Sequence, residues 1–409
     1  MLGKIINQFI FQFGNYILPF LIIPFLIDKL SLNIYKDFVV IQTLVIFFAV
    51  LISYGLDLFG VRYISLNISN EKKRIEFVSI SLISRLLMFL FFSIFLFLAL
   101  YFLTDRNSNF WIFGFFWLSS FIFQLNWYLQ GVGDFRRITL YGLIPKLILY
   151  PLVFLFVKDD GNAWVYLFLC GLANYFSNLS MLIHIFLTSS ISVVDIKNIK
   201  KKISLFFRRG WFIFLSQASV NLLSYANIFV LPLILDTKSF VVFSTADRIV
   251  KVLSISTTPV LNVLFPYISK LAHKEGRKAF LIISRVALTS IALFLCCYAL
   301  YYLVGAFILE KTFPKISVEL HSTLSFLLLN VIFVFLNNLY GTQIGINWGR
   351  DKAFSSIIAI NGSISISLMA FLGYYFRLDG VIFSSLLVQV SILICMFILA
   401  RKCGYKFEV

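Results

Sequence analysis

Apolar runs of about 20 residues recur from one end of this chain to the other, and that repeat restricts it to one solvent. A helix rising ~1.5 Å per residue needs about that length to cross a hydrocarbon core roughly 30 Å thick. Membrane-crossing strands would instead read as segments of roughly ten residues with alternating polarity, and no such alternation runs through the chain. Charged residues make up 13% of the 409, against roughly 25% in soluble domains. There is too little polar surface here to clothe a water-exposed globule. The first run, Phe9 to Ile27, follows Lys4 but contains Pro19 and Pro24 and lacks a small-residue cleavage site. It reads as a retained helix rather than a signal peptide.

The hydropathy pattern predicts an all-α integral membrane protein with twelve transmembrane helices. They lie near residues 8–28, 38–60, 77–103, 110–130, 140–157, 163–187, 209–235, 240–266, 280–307, 323–345, 353–375 and 380–400. An even number places both termini on one side. The connections near 61–76, 131–139, 188–208, 267–279 and 346–352, with the two tails, hold most of the 35 Lys and Arg residues. The opposite connections hold Lys29, Lys36, Arg106, Lys158, Lys238, Lys311, Lys315 and Arg377. The positive-inside rule then predicts cytoplasmic termini. It also accounts for most of the net charge of +17 without a nucleic-acid partner. Basic clusters such as Lys200-Lys201-Lys202 and Arg208-Arg209 read as topology determinants that meet anionic lipids at the cytoplasmic face. The five cysteines have no CxxC spacing and read as packing thiols rather than disulfides or a metal site.

The two halves of the chain share an ordered set of short matches. Pro24-Phe25-Leu26-Ile27-Asp28 corresponds to Pro232-Leu233-Ile234-Leu235-Asp236, and Phe38-Val39-Val40 with Thr43 to Phe240-Val241-Val242 with Thr245. Tyr63-Ile64-Ser65 recurs as Tyr267-Ile268-Ser269, and Ile83-Ser84-Arg85 as Ile283-Ser284-Arg285. With six spans per half, equivalent helices run in the same direction, which predicts a parallel repeat of two six-helix lobes around a central cleft. The predicted organisation is a lobe over 1–187, a basic cytoplasmic linker over 188–208, and a second lobe over 209–409. The linker could lie on the leaflet as an amphipathic helix. Such an architecture points to a transporter.

Ionisable groups inside a membrane cost at least ~2.5–3.5 kcal/mol each, so they face protein or a wet cavity. The eighth span carries Ser244, Asp247, Arg248, Lys251, Ser254, Thr258 and Asn262 at helical spacing, which lines one face. Asp247 and Lys251 are i,i+4 partners, leaving Arg248 as unbalanced positive charge. Two readings stand side by side: a cationic wall for an anionic substrate group, or an ion-paired helix packed in its bundle. Lys146, beside Pro145 in the fifth span, could join the cationic cleft. Gln8, Gln12 and Asn15 on the first span, and Gln217, Asn221 and Ser224 on the seventh, form neutral stripes. These suit sugar hydroxyls or a hydrated cleft, and equally interhelical hydrogen bonds of ~0.6 kcal/mol each. Arg85 and Arg285 lie near helix ends, where snorkelling is expected. Pro24 and Pro232 occupy matching positions and are candidate hinges, or static packing kinks.

Several of these residues carry a resemblance. Tyr54-Gly55-Leu56-Asp57-Leu58-Phe59-Gly60-Val61-Arg62-Tyr63-Ile64-Ser65, at the end of the second span, resembles a signature of the O-antigen-type (Wzx-like) polysaccharide flippases. These belong to the multidrug/oligosaccharidyl-lipid/polysaccharide exporter superfamily. Trp127-Tyr128-Leu129-Gln130-Gly131 looks like their fourth-span ending, and Phe243-Ser244-Thr245-Ala246-Asp247-Arg248-Ile249 with Pro266 and Ser269 is similar to their eighth-span pattern. The chain departs from the family at Leu30-Ser31 and Tyr35-Lys36, where glycines are frequent, and at Gly133, where an acidic residue is frequent.

The resemblance implies a MATE-like fold, alternating access, and residence in a bacterial cytoplasmic (inner) membrane. The implied cargo is an oligosaccharide on undecaprenyl pyrophosphate, moved from the cytoplasmic to the periplasmic leaflet for O-antigen or lipopolysaccharide biosynthesis. Polymerase and chain-length machinery would be its pathway partners. No bound cofactor is implied. Ion coupling occurs in parts of the superfamily, and Asp57 and Asp247 are the carboxylates through which a Na⁺ or H⁺ gradient or the membrane potential would act.

A multidrug exporter of the same fold would call for carboxylates in the cleft, whereas the charges within these spans are mainly basic. A membrane polymerase or glycosyltransferase would present a sizeable external loop or paired acids. The longest external connection is expected over 308–322, and His184, His273 and His321 are scattered without triad or metal spacing. A channel is disfavoured by the two-lobed repeat.

Overall fold

Short polar caps decide where the apolar runs begin. In the computed structural model, Ser31 accepts a hydrogen bond from the Ile34 amide, Asn70 from Lys73 at 3.0 Å, and Asp236 from Ser239 at 3.2 Å. Each satisfies an amide that the first helical turn leaves unpaired. The Ser239 hydrogen bond also holds the Asp236 carboxyl below the usual carboxylate range. The structure describes residues 2–104, 110–189, 198–225, 227–257, 260, 261, 264, 268, 271, 276–346 and 350–404. The chain divides into two compact units, Met1–Ile228 and Phe229–Val409. Among the described residues nine helical stretches are long and apolar enough to cross a membrane, the last, Lys352–Arg401, covering the expected eleventh and twelfth spans; none falls within 199–257, where the seventh and most of the eighth are expected.

The first unit contains α1 (Leu2–Lys29), α2 (Leu32–Ser53), α3 (Leu56–Leu66), α4 (Glu71–Leu103), α5 (Trp111–Ser120), α6 (Asn126–Val132), α7 (Phe135–Leu149), α8 (Leu152–Phe156), α9 (Trp164–Thr188) and α10 (Ile199–Tyr225). Its central element is α2 with α3, 83% of whose most apolar stretch is buried; on α4 the share is 17%. The outer side of α4 shows Leu86, Leu90, Phe91, Ile94 and Leu98, an apolar face suited to lipid contact rather than water.

Between α2 and α3 the chain bends at Tyr54 (φ 49°) and Gly55 (φ 71°), two successive left-handed residues. Glycine is required at 55 twice over: its φ strains any L side chain, and an added Cβ would lie 2.8 Å from Ile213 Cγ2. Tyr54 is held against α10, stacked on Phe214 with its hydroxyl donating to the Phe207 carbonyl at 3.0 Å. Residues 199–208, the second half of the expected linker, are therefore the opening turns of a long helix docked by Phe206 into the core of the first unit. The fourth run is interrupted after a 3₁₀ turn, Phe121–Phe123, where Gln124 is extended and α6 starts afresh. Gly133 ends α6 in the left-handed region, and Asp134 caps α7.

The unit boundary falls within α11 (Asn227–Ile234). The second unit continues with α12 (Thr237–Ser256), α13 (Gly276–Thr312), α14 (Ser317–Leu327), α15 (Leu329–Tyr340), a π-helical turn (Gly341–Ile346) and α16 (Asp351–Gly404). At ~1.5 Å per residue α16 would be about 80 Å long, more than twice a bilayer core. It is broken at Arg377 (φ 50°), and the Ser391 hydroxyl donates to Asn361 Oδ1 at 2.7 Å across thirty residues. Its two arms are therefore antiparallel. Gly380 permits the turn, since a Cβ there would lie 2.1 Å from the Leu372 carbonyl oxygen.

At the same end of this unit Arg377 donates to the Ile234 carbonyl at 2.7 Å and Lys238 pairs with Glu319. Only residues 313–316 separate α13 from α14, so the connection expected over 308–322 is mostly helical. The core gathers the repeat-matched Ile268 and Ile283 with Phe335, Leu339 and Met396. Repeat partners Arg85 and Arg285 part company, the first fully buried and the second exposed.

Candidate functional site

Burial surrounds the first turn of α12 and then becomes one-sided. Phe240, Val241, Val242 and Phe243 are all buried, and beyond them Thr245, Ala246 and Val250 continue the buried side of a helix packed against α14 and α15. Ser244, Asp247, Arg248, Lys251 and Ser254 remain accessible. Lys251 Nζ reaches Asp247 Oδ2 at 2.6 Å, an i,i+4 pair. Arg248 has no ion pair or hydrogen bond among the described residues. The accessible face thus carries one more cation than anion. Asn262, expected to extend this stripe, lies outside the described residues, as does Thr258.

A second polar cluster is internal to the first unit. Lys146 on α7 donates to Asn15 Oδ1 on α1, and Asn15 Nδ2 in turn donates to the Phe11 carbonyl at 2.8 Å. Two residues 131 positions apart, selected separately as polar residues in apolar spans, are brought into contact. Behind Lys146 lies buried Cys170, whose thiol is reached by the Tyr150 and Tyr166 hydroxyls; Gln42 Nε2 donates to Tyr166 at 3.3 Å. This extension was missed in the sequence, although Gln42 stands out in a span otherwise free of amides. Replacing Asn15 by alanine removes the acceptor of a half-buried ammonium, at a cost of about 1–2 kcal/mol. Thermal unfolding in detergent should show that loss, and the Asn15→Ala/Lys146→Met double variant should recover most of it.

The remaining site residues stand apart. Gln12 is exposed on α1. Asn221 Nδ2 donates to the Gln217 carbonyl at 2.8 Å, so part of the seventh-span stripe is satisfied within its own helix. Pro24 lies inside continuous α1, and Pro232 two residues before the end of α11.

Asp57, in the first turn of α3, is accessible and lies within the field of Arg85. Arg85 does not snorkel. It is fully buried, donates through Nη1 to the Gln124 carbonyl at the interruption between α5 and α6, and sits 5.8 Å from the Trp127 ring centroid. Its expected place near a helix end concealed this: α4 begins at Glu71, fourteen residues earlier, and nothing in the local sequence marks the break that Arg85 caps. In the second unit the amides of Asn330, Asn337 and Asn361 bond to Ser385, Gln389 and Ser391 between helices, which is packing glue. Among the described residues no group of three or more His, Cys, Asp or Glu gathers as a metal set.

The pattern of the family described as "Polysaccharide biosynthesis protein" matches residues 2–272. The chain is 23% identical over 412 residues to the "Putative O-antigen transporter" of Escherichia coli (strain K12), covering 98% of this chain and 97% of the relative. It is 24% identical over 402 residues to the Shigella dysenteriae protein of the same name, covering 97% and 99%. Two solved structures share the fold. A multidrug resistance MATE family transporter of the MOP superfamily, inward-facing, superposes with TM-score 0.70 at 15% identity over 95% of this chain and 99% of its own. The lipid II flippase MurJ, inward closed, gives 0.69 at 14% identity over 99% and 90%.

Proposed function

The chain belongs to the polysaccharide biosynthesis protein family, and on that premise we propose that it is a membrane transporter that flips lipid-linked oligosaccharide, not an enzyme. The substrate is an O-antigen-like oligosaccharide on undecaprenyl pyrophosphate, carried from the cytoplasmic to the periplasmic leaflet of the inner membrane by alternating access. Relatives named as O-antigen transporters over nearly the whole chain support the substrate class.

The observation that carries the mechanism is the accessible face of α12. An arginine whose side chain has no partner among the described residues, beside an Asp–Lys pair, is costly to turn toward hydrocarbon, which supports a wet path along this face. There the guanidinium can replace part of the hydration that a pyrophosphate must shed, through charge-assisted and bidentate hydrogen bonds. Lys146 and the amides of Asn15, Gln217 and Asn221 are proposed to meet the sugar, and Asp57 or Asp247 to sense the coupling ion. Cations favour this cargo over an organic cation, which would be repelled.

Twelve spans with cytoplasmic termini complete the proposal. Within the first unit, Arg62, Lys73, Lys202 and Arg209 gather around one cavity, while the Ser31 amide meets Asp160 at 2.8 Å where connections converge whose lysines, Lys29, Lys36 and Lys158, are offset by Asp28, Asp37, Asp159 and Asp160. That asymmetry supports a cytoplasmic basic end. The test is reconstitution of the purified chain into vesicles with a fluorescent lipid-linked oligosaccharide on one leaflet. The label should become accessible on the other leaflet only when the protein is present. A normally folded, correctly inserted chain that leaves it in place sinks the reading.

A further inference from the structure

Helices α3, α4 and α10 of the first unit enclose a cavity of about 450 Å³ for which the transport reading has no use. Four cations line it: Arg62, Lys73, Lys202 and Arg209. Lys202 Nζ is paired with Glu76 at 2.7 Å. Arg62, Lys73 and Arg209 are exposed, and their side chains have no ion pair or hydrogen bond among the described residues. Three like charges around one hollow repel each other, and among the described residues no carboxylate pairs with them; Glu76, the acid in the lining, is paired with Lys202.

The floor has the opposite character. Phe59, Phe77 and Phe206 form an interlocking aromatic set, with centroids 5.3 Å apart for Phe59–Phe206 and 5.5 Å for Phe59–Phe77. Ile80 lies seven residues inside Lys73 on α4, and Ile213 lies eleven inside Lys202 on α10. At ~1.5 Å per residue Ile80 and Ile213 sit about 10–16 Å deeper than Lys73 and Lys202, while Arg209, between Phe206 and Ile213 on α10, brings its guanidinium to the edge of the apolar floor on a stem long enough to reach the rim. A charged rim over an apolar floor at that depth matches an amphiphile that enters with its anionic head outward.

We propose that this cavity seats an anionic glycerophospholipid of the surrounding membrane. Its phosphate lies against Arg62, Lys73 and Arg209, and its upper acyl chain lies over Phe59, Phe77 and Phe206. The bound lipid offsets the repulsion between the three cations and fastens α10 to α3 and α4. Because it binds only the folded chain, it raises thermal stability by mass action.

The test is native mass spectrometry of the full chain in detergent, titrated with phosphatidylglycerol and, separately, with phosphatidylethanolamine. The parent should retain phosphatidylglycerol selectively and gain thermal stability from it. Arg62→Gln/Lys73→Gln/Arg209→Gln should lose about tenfold or more in affinity. Lys72→Gln/Arg136→Gln/Lys200→Gln, which removes as much charge elsewhere on the same surface, should stay near the parent. Ile80→Trp, which fills the floor and leaves every cation in place, should also lose the lipid, so the test survives a misfolded triple variant. Equal affinity of the two triple variants would reduce the effect to diffuse surface charge and overturn the site. Displacement of phosphatidylglycerol by an equimolar short prenyl diphosphate would assign the cavity to the carrier lipid instead. The readout is binding, so a failed transport assay leaves it untouched.

Discussion

Replacing Arg248 and Lys251 together by alanine is expected to slow translocation of lipid-linked oligosaccharide by about 100-fold or more, with little change in folding. Two charge-assisted hydrogen bonds to a phosphate, at about 1.5 kcal/mol or more each, account for that factor. Stability should hold because both side chains lie on the accessible face of α12, and the buried side keeps Thr245, Ala246 and Val250. The sign of the local charge is decisive. Asp247, Arg248 and Lys251 together carry one net positive charge, whereas the double variant leaves Asp247 alone and presents a negative charge to an anionic cargo. Adding Asp247→Asn should therefore recover part of the rate by removing repulsion, and Arg248→Lys should retain more activity than Arg248→Ala. Initial rates in reconstituted vesicles measure all four. Unchanged transport in the double variant would remove the cationic wall from the mechanism, while faster uptake of an organic cation would favour the drug-exporter alternative.

How much of this was legible in the sequence depended on whether the cause was local. Hydropathy alone identifies a membrane-spanning helical chain, because lipid imposes the same length on every span. The bend between α2 and α3 was not anticipated, since one span was expected over 38–60; Gly55, which the left-handed backbone needs, was the available signal. The polar stripe of α12 was also readable, since a 3.6-residue period assigns its residues to one face. Which side the stripe turns to was not, and required the burial of Thr245, Ala246 and Val250 opposite it. The interruption at Gln124 had no local marker, neither Gly nor Pro; it persists because Arg85 and the Trp127 indole both donate to the freed carbonyl from positions the sequence does not pair. Lys146 and Asn15 were each conspicuous alone, yet their contact depends on α1 packing against α7. Tertiary packing, not propensity, supplied what the sequence lacked.

Arg85 offers the sharpest contrast between the two sources of information. For an arginine that snorkels from a helix end, alanine replacement would change stability by roughly 0.5 kcal/mol or less. Fully buried Arg85 predicts instead a loss of about 2–4 kcal/mol for Arg85→Ala. That variant opens a void beneath Trp127, removes one of the two donors to the Gln124 carbonyl, and leaves Asp57 without its compensating charge. Arg85→Met should cost much less. It refills most of the volume, and it also removes Nε and Nη2, which are buried without hydrogen-bond partners. Partnered apolar contact then replaces unpartnered polar burial. Adding Asp57→Asn to Arg85→Met should recover a further fraction, since the carboxylate no longer needs a counter-charge. Thermal unfolding of the four proteins in one detergent orders them as parent, Asp57→Asn/Arg85→Met, Arg85→Met and Arg85→Ala from most to least stable. An Arg85→Ala protein that unfolds with the parent would place this guanidinium in lipid or water and dissolve the link between α4 and the broken fourth span.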